Sequence, residues 1–313
     1  MSETVTAFAP ASIGNLAVGF DMLGLALRGV GDRVLARATS GDEVTIAEVR
    51  GMDGEIHPKL STDPKQNTAS IAAQALLNDH GGSFGVELKV HKGVPLQSGM
   101  GSSAASAVAA VVAVNALLAA PLDVDALLPY ALEGEKFASG GLHADNVAPS
   151  LLGGLVLCPQ VLLPDVIRLP VPSGVSAVLL HPELQVNTAE ARRGLAKSYS
   201  IKQWLEQQGL LAGFIAACTA NDIDLIGKTV RDLVIEPQRS AAVPCFGAVK
   251  EAAMRSGSLG CSLSGSGPSL FALCKDGDSR NIASAMEQAC RAEGIACQSW
   301  VSPMTAPGAH IES

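Results

Sequence analysis

A run of small apolar residues, Ala104 to Ala120, constrains this chain more than any other feature. It is mostly Ala and Val, interrupted by Ser106 and Asn115. A helix that is apolar on every side has no face to offer water, so it must be enclosed by other elements. The run is short for a bilayer span and has no flanking Lys or Arg anchor. The expectation is a buried helix. Its small side chains let neighbours approach closely, and a sheet can lie against one face.

The rest of the chain can supply such an enclosure. With 313 residues it is long enough for one large domain or two ordinary ones. A hydrophobic share of 48% against 17% charged excludes a disordered chain. The balance of 22 Lys and Arg against 30 Asp and Glu, with no dense basic run, argues against a nucleic-acid partner. Met1 to Pro10 has neither a basic n-region nor a long apolar stretch, so no signal peptide and no membrane partner are expected. The seven Cys are scattered without a C-x-x-C pair. Buried free thiols in a reducing, cytoplasmic compartment are the expected state.

The pattern of elements is α+β. Val5 to Ala9 reads as a strand and Pro10 to Leu16 as a loop; Met22 to Leu27, Val34 to Ala38 and Val44 to Val49 read as further strands. A helix is expected over Asn67 to Asn78, stopped by Gly81-Gly82. Val86 to Val90 alternates as a strand, Val124 to Phe137 reads as a helix and Gly153 to Cys158 as a strand. Prolines at 164, 170 and 172 then suggest a linker. Beyond it, strands are expected at Val175 to Leu180, Leu270 to Cys274 and Ile295 to Val301. Helices are expected at Thr188 to Lys197, Ile201 to Cys218, Asp224 to Leu233, Ala242 to Arg255 and Ser279 to Ala292. The domains are placed at 1–165 and 166–301, with 302–313 as a flexible tail.

The chemistry concentrates in Gly99-Met100-Gly101-Ser102-Ser103, which opens the apolar helix. Glycines let the backbone turn tightly enough for several N–H groups to face one anion. The helix N-terminus adds its dipole and unpaired N–H groups. Ser102 and Ser103 can cap the helix, bond a phosphate or ligate magnesium. The plain alternative is a Ser N-cap with glycines for a loop. A Walker A loop is excluded because no Lys follows the glycines. Gly99-x-Gly101-x-x-Ala104 matches a Rossmann pattern, yet a long segment containing Pro95 separates it from the preceding strand.

The segment Pro95-Leu96-Gln97-Ser98-Gly99-Met100-Gly101-Ser102-Ser103-Ala104-Ala105-Ser106 closely resembles the central ATP-binding motif of the GHMP kinases, a family of small-molecule kinases. Pro10-Ala11-Ser12-Ile13-Gly14-Asn15-Leu16, continuing to Gly19-Phe20-Asp21, resembles the opening motif of those members that phosphorylate homoserine. Leu263-Ser264-Gly265-Ser266-Gly267-Pro268-Ser269 resembles the third motif. The three stand in family order and at family spacing, and the resemblance runs to about residue 301. Shorter segments point to the same branch: His143-Ala144-Asp145-Asn146, Thr188-Ala189-Glu190-Ala191-Arg192 and Glu236-Pro237-Gln238-Arg239. Gly14 and Ala17-Val18 depart from that branch's common form, and Met100 replaces its usual Leu.

The resemblance implies a fold and a set of roles. The N-terminal domain would be like the second domain of ribosomal protein S5, and the C-terminal domain ferredoxin-like, with the active site between them. The cofactors would be ATP and Mg2+. Pro95, Leu96, Gln97, Ser98, Gly99, Met100, Gly101, Ser102, Ser103, Ala104 and Ala105 would surround the nucleotide, and Asn67 would lie near its base. Ser103 and Glu135 would hold the metal. Asn15, Asp21, His143, Asp145, Thr188, Arg192, Arg239 and Gly265 would bind the small-molecule substrate, L-homoserine. Asn146, Arg192 and Glu135 would serve catalysis. Asn146 stands where other branches carry an Asp base, and an Asn cannot take a proton in that role. The product would be O-phospho-L-homoserine, on the way to threonine, and the family often dimerises. The alternatives are another small alcohol (mevalonate, shikimate or a diphosphocytidyl-methylerythritol) or a non-catalytic metabolite binder. Arg193 lacks support from any motif and reads as a surface residue.

Overall fold

A computed structural model describes residues 4–81 and 84–312. Residues 1–3, Gly82, Ser83 and Ser313 lie outside the described residues, and with them the start of the segment read for a leader, half of the Gly-Gly stop and the last residue of the tail.

Among the described residues, seven strands form the first sheet. They are β1 (Thr4–Gly14), β2 (Leu23–Ser40), β3 (Val44–Arg50), β4 (Phe84–His91), β5 (Leu155–Leu157), β6 (Ile167–Leu169) and, from the other end of the chain, β11 (His310–Glu312). The order is β11-β1-β2-β4-β3, with β5 on β2 and β6 on β5. Two expectations change here. Pro10 to Gly14 is strand rather than loop: the ladder between β1 and β2 shifts register between Pro10 and Ser12, then resumes to Gly14. A register break of this kind tolerates a proline that cannot donate. Two separately expected strands also merge into the one long β2, because β1, β4 and β5 pair with successive parts of it.

Among the described residues, α1 (Thr68–His80), α2 (Ser102–Asn115) and α4 (Ala144–Leu152) pack on the sheet, and α3 (Leu128–Ser139) packs on those three helices. The apolar run is α2, and Ser103 is its one residue that is not buried. It packs against β1 and β2 and against α1, α3 and α4, which is the enclosure its composition demands. Helix α3 starts at Leu128 because Pro129 suits a first turn and Val124–Leu127 forms a separate short turn. Helix α4 was not anticipated, since Pro149 sits inside it and reads as a breaker. Burial of Val147, Ala148 and Leu151 holds it helical.

The second sheet comprises β7 (Val175–Pro182), β8 (Gly260–Leu263), β9 (Leu270–Lys275) and β10 (Cys297–Pro303), in the order β10-β7-β9-β8. Its helices are α5 (Thr188–Arg193), α6 (Ile201–Ala220), α7 (Ile223–Thr229), α8 (Glu236–Arg239), α9 (Phe246–Arg255) and α10 (Ser279–Ala292). The sheet is antiparallel throughout, with the strand order of a ferredoxin-like unit. A shared core joins the two sheets: Ile13, Leu16, Leu25 and Met100 pack in one cluster with Leu179, Phe214, Ile226 and Phe271.

The expected flexible tail, 302–313, is a correction. Met304 and Ala306 are buried, and β11 pairs antiparallel with β1, Phe8 opposite His310. Arg33 meets Glu312 at 2.9 Å. The edge of β1 offers unpaired backbone groups, and the chain end satisfies them. The proline-marked linker likewise carries β6, which adds to the first sheet. The seven cysteines are free, six of them buried. Among the described residues no helix is long and apolar enough to cross a membrane.

Candidate active site

The path from β4 to α2 is built around two glycines. Gly101 (φ 69°) is the N-cap of α2 and offers no side-chain cap. A Cβ there would lie 2.5 Å from Ser12 Oγ and 3.1 Å from Asn146 Cβ. Gly99 (φ 76°) leaves no room either, since its Cβ would overlap the Ser264 carbonyl oxygen. Both positions therefore need glycine twice over, for conformation and for space. The Ser N-cap alternative does not hold: Ser102 Oγ donates to the Val94 carbonyl, 2.9 Å away. First-turn N–H groups have no intrahelical acceptor, so this uncapped end presents donors and the positive end of a helix dipole.

The three motifs meet at this loop. Ser269 N donates to Ser98 O at 3.1 Å, and Ser264 Oγ to Gly99 O at 2.6 Å. Gly265 N donates to Gly14 O at 3.2 Å, and Asn15 Nδ2 to Gly265 O at 3.0 Å. Asn15, Leu16, Ala17 and Asp21 all have positive φ. Such backbone strain in non-glycine residues clusters at functional sites. Asn15 Oδ1 holds the far side of the turn by accepting from Asp21 N at 3.0 Å.

Between these segments lies a cavity of about 620 Å³. Asn15, Asp21, Asn67, Leu96 to Gly99, Gly101 to Ser103, Glu135, His143, Asp145, Asn146, Thr188, Arg192, Arg239 and Gly265 line it. Four residues named for the nucleotide do not: Pro95, Met100, Ala104 and Ala105. The side chains of Met100, Ala104 and Ala105 are fully buried in the core, where the apolar faces around α2 must go. Asn67 reaches the cavity with its amide engaged on both sides, accepting from Ala69 N at 3.0 Å and donating to Ser61 O at 2.9 Å. Arg193 is exposed and pairs only loosely with Glu190.

One end of the cavity carries the charged groups. Arg192 makes a two-pronged pair with Asp21, at 2.8 and 2.7 Å. His143 Nδ1 lies 3.8 Å from Asp21 Oδ2, and burial holds its pKa below the ordinary value. Arg239 is 6% exposed and donates from Nη1 to Gly265 O at 3.0 Å. Its buried Nε has no hydrogen-bond partner among the described residues. Burial, then the charges of Asp21 and Glu135, pushes the Asp145 carboxyl up to about 7. Asn146 Oδ1 accepts from Ser12 Oγ at 2.9 Å, which turns the amide and fixes which end of it is committed. Thr188 Oγ1 and Ser266 Oγ are 3.1 Å apart.

Beside the glycine loop, Ser103 Oγ donates to Glu135 Oε2 at 2.6 Å. Among the described residues there is no group of three or more His, Cys, Asp or Glu that could cage a metal. One carboxylate with one hydroxyl suits Mg2+, which keeps waters and takes phosphate oxygens rather than a full set of protein ligands. The donor set therefore fits the metal that the loop suggests.

Sequence reasoning passed over the ion pair beneath the loop. Lys92 Nζ contacts Asp32 Oδ2 and donates to Ser102 O at 2.7 Å and Ser106 Oγ at 2.8 Å. Asp32 Oδ1 accepts from Gly93 N at 2.8 Å and Val94 N at 3.0 Å. Lys92 adjoins the motif and was within reach. Asp32, between Gly31 and Arg33, looks like a turn residue until its burial is known.

Comparison with known proteins gives consistent results. The family described as GHMP kinases N terminal domain matches residues 67–154, and GHMP kinases C terminal matches 214–292. The chain is 42% identical over 306 residues to the homoserine kinase of Xanthomonas campestris pv. campestris, covering 97% of this chain and 93% of that one. It is 40% identical to the homoserine kinase of Chlorobium phaeobacteroides, over 99% of both. Among solved structures, homoserine kinase from Cytophaga hutchinsonii superposes with a TM-score of 0.94 at 42% identity, covering 100% of this chain and 98% of that one.

Proposed function

We propose, for a chain that belongs to the GHMP kinase family and within it to the homoserine kinases, that the cavity transfers the γ-phosphoryl group of ATP to the side-chain hydroxyl of L-homoserine. The product, O-phospho-L-homoserine, stands on the way to threonine. The observation that carries this is the pairing of an uncapped glycine-rich helix start with a cluster of two arginines and a buried Asp145 in one cavity. An amino acid needs both an anionic and a cationic subsite, and this end of the cavity offers both. The reading extends to a cytoplasmic protein that forms a homodimer, the state in which the family is often found.

Each residue has a part in that reading. The N–H groups of residues 101–104 receive the phosphates. Ser103 and Glu135 would hold Mg2+, which supplies positive charge against the phosphate oxygens. Arg192 and Arg239 hold the substrate carboxylate with forked donors. Asp145 takes the ammonium group, with Asn15, Asp21 and His143 shaping the subsite. Asn146, turned by Ser12, positions the hydroxyl but accepts no proton. Phosphoryl transfer leans on positioning and charge stabilisation, and the hydroxyl proton leaves late, to solvent or to the transferred phosphate.

The direct test is a coupled ADP-release assay with MgATP and L-homoserine, D-homoserine, L-serine, L-threonine, mevalonate and shikimate. Strong magnesium-dependent turnover on L-homoserine is expected. Turnover on mevalonate or shikimate instead would discard the amino-acid subsite and keep the kinase.

A pH profile tests Asp145. A carboxyl raised to about 7 is neutral below that pH and cannot pair with an ammonium group. The kcat/KM for L-homoserine should therefore fall about tenfold per unit as pH drops below about 6, and flatten above about 8. Asp145→Asn should lose that limb and remain on the low plateau. A wild-type profile flat from pH 8 down to 5.5 would remove Asp145 from this role.

A further inference from the structure

We infer that Phe20 is a positioning residue that sets the spacing of the two arginines; this rests on the proposed amino-acid subsite. The guanidinium Cζ of Arg192 lies 5.5 Å from the Phe20 ring centroid, and that of Arg239 lies 5.1 Å from it. One ring thus serves two cations that arrive on different helices, α5 and α8. Left to themselves the two like charges repel. Burial disfavours the charged form of Arg239; the Asp21 charge favours it, and the nearby Arg192 charge opposes it. The negative face of an aromatic ring attracts guanidinium groups and gives two of them a common seat.

Each arginine has one further anchor. Asp21 fixes Arg192, and the Gly265 carbonyl takes Nη1 of Arg239. Those anchors leave the Arg239 Nε buried and, among the described residues, without a partner, in a residue that lines the cavity. A buried donor of this kind invites an anion. Phe20 itself is held by the strained turn from Asn15 to Asp21, in which Asp21 has φ 57°. The turn fixes the ring, the ring fixes both forks, and the forks define where a carboxylate fits. A leucine at position 20 would fill much of the volume and lack the charged-face attraction.

The test compares Phe20→Leu and Phe20→Tyr on two acceptors. One is L-homoserine; the other is 3-aminopropan-1-ol, which keeps the hydroxyl and ammonium groups and lacks the carboxylate. Phe20→Leu should raise KM for L-homoserine by about tenfold, since cation–π contacts at partly desolvated sites carry effects of that order. It should leave KM for ATP and the kcat/KM for 3-aminopropan-1-ol within about twofold, and Phe20→Tyr should restore the wild-type value. Equal losses on both acceptors, or no loss on either, would overturn the inference.

A second measurement separates this from the identity of the acceptor. In crystal structures of the ligand-free variants, the separation of the Arg192 and Arg239 guanidinium groups should change in Phe20→Leu and match wild type in Phe20→Tyr. If wild type fails to use L-homoserine but this separation changes in Phe20→Leu, the subsite reading falls and the positioning by Phe20 stands. An unchanged separation in Phe20→Leu overturns the positioning itself.

Discussion

Asp32→Asn is expected to destabilise the protein by about 3–5 kcal/mol, the usual cost of removing one partner of a buried ion pair. The thermal midpoint should fall by about 5–8 °C for a chain of this size. Asp32 is fully buried, and its carboxylate takes up the Lys92 ammonium, the Ser106 hydroxyl and two backbone N–H groups. Asparagine keeps one acceptor and leaves the ammonium facing an amide. The double variant Asp32→Asn with Lys92→Met removes the stranded charge and should regain about half of the loss. Since Lys92 also holds the Ser102 carbonyl, both variants should weaken ATP binding more than acceptor binding. Urea denaturation followed by initial-rate kinetics checks each part. A single variant within 1 kcal/mol of wild type would mean that the network is structurally idle.

Glu135→Gln should lower kcat by about 10³-fold, the loss of charge control over a transferring phosphoryl group. The substitution is nearly isosteric and can still accept from the Ser103 hydroxyl, so it isolates the charge. The KM for L-homoserine should stay within about threefold, because Glu135 sits with the glycine loop rather than with the arginines. The Mg2+ concentration needed for half-maximal rate should rise. A kcat within tenfold of wild type, at unchanged Mg2+ dependence, would take Glu135 out of the metal site.

The motif residues were legible because their chemistry is local. Gly99 and Gly101 are required by φ and by space, and Ser103 follows them in the first helical turn. The apolar run at Ala104 announced a buried helix because no periodicity left it a wet face. Arg192, Arg239 and His143 could be named only as members of a pattern. Their mutual geometry, with Asp21 as the common partner of Arg192 and His143, depends on elements far apart in the chain.

Other features stayed hidden for specific physical reasons. Pro149 reads as a helix breaker, and only packing of Val147, Ala148 and Leu151 outweighs it. Residues 302–313 carry a tail's composition, yet the edge of β1 needs hydrogen-bond partners and draws in residues 310–312. Phe20 looks like a hydrophobic loop residue until two guanidinium groups are found against its ring.

By itself the sequence determined the α+β class, the enclosed helix and the glycine loop that opens it, because these rest on composition, periodicity and short-range backbone chemistry, whereas the residues of an amino-acid subsite were legible only through resemblance to a family pattern. The tertiary structure alone decided that Asp32 and Lys92 neutralise each other under the loop, that Asp145 is buried enough to hold its proton to about 7, and that one ring seats both arginines. Burial and cross-chain distance set those three properties, and neither quantity exists until the chain has folded.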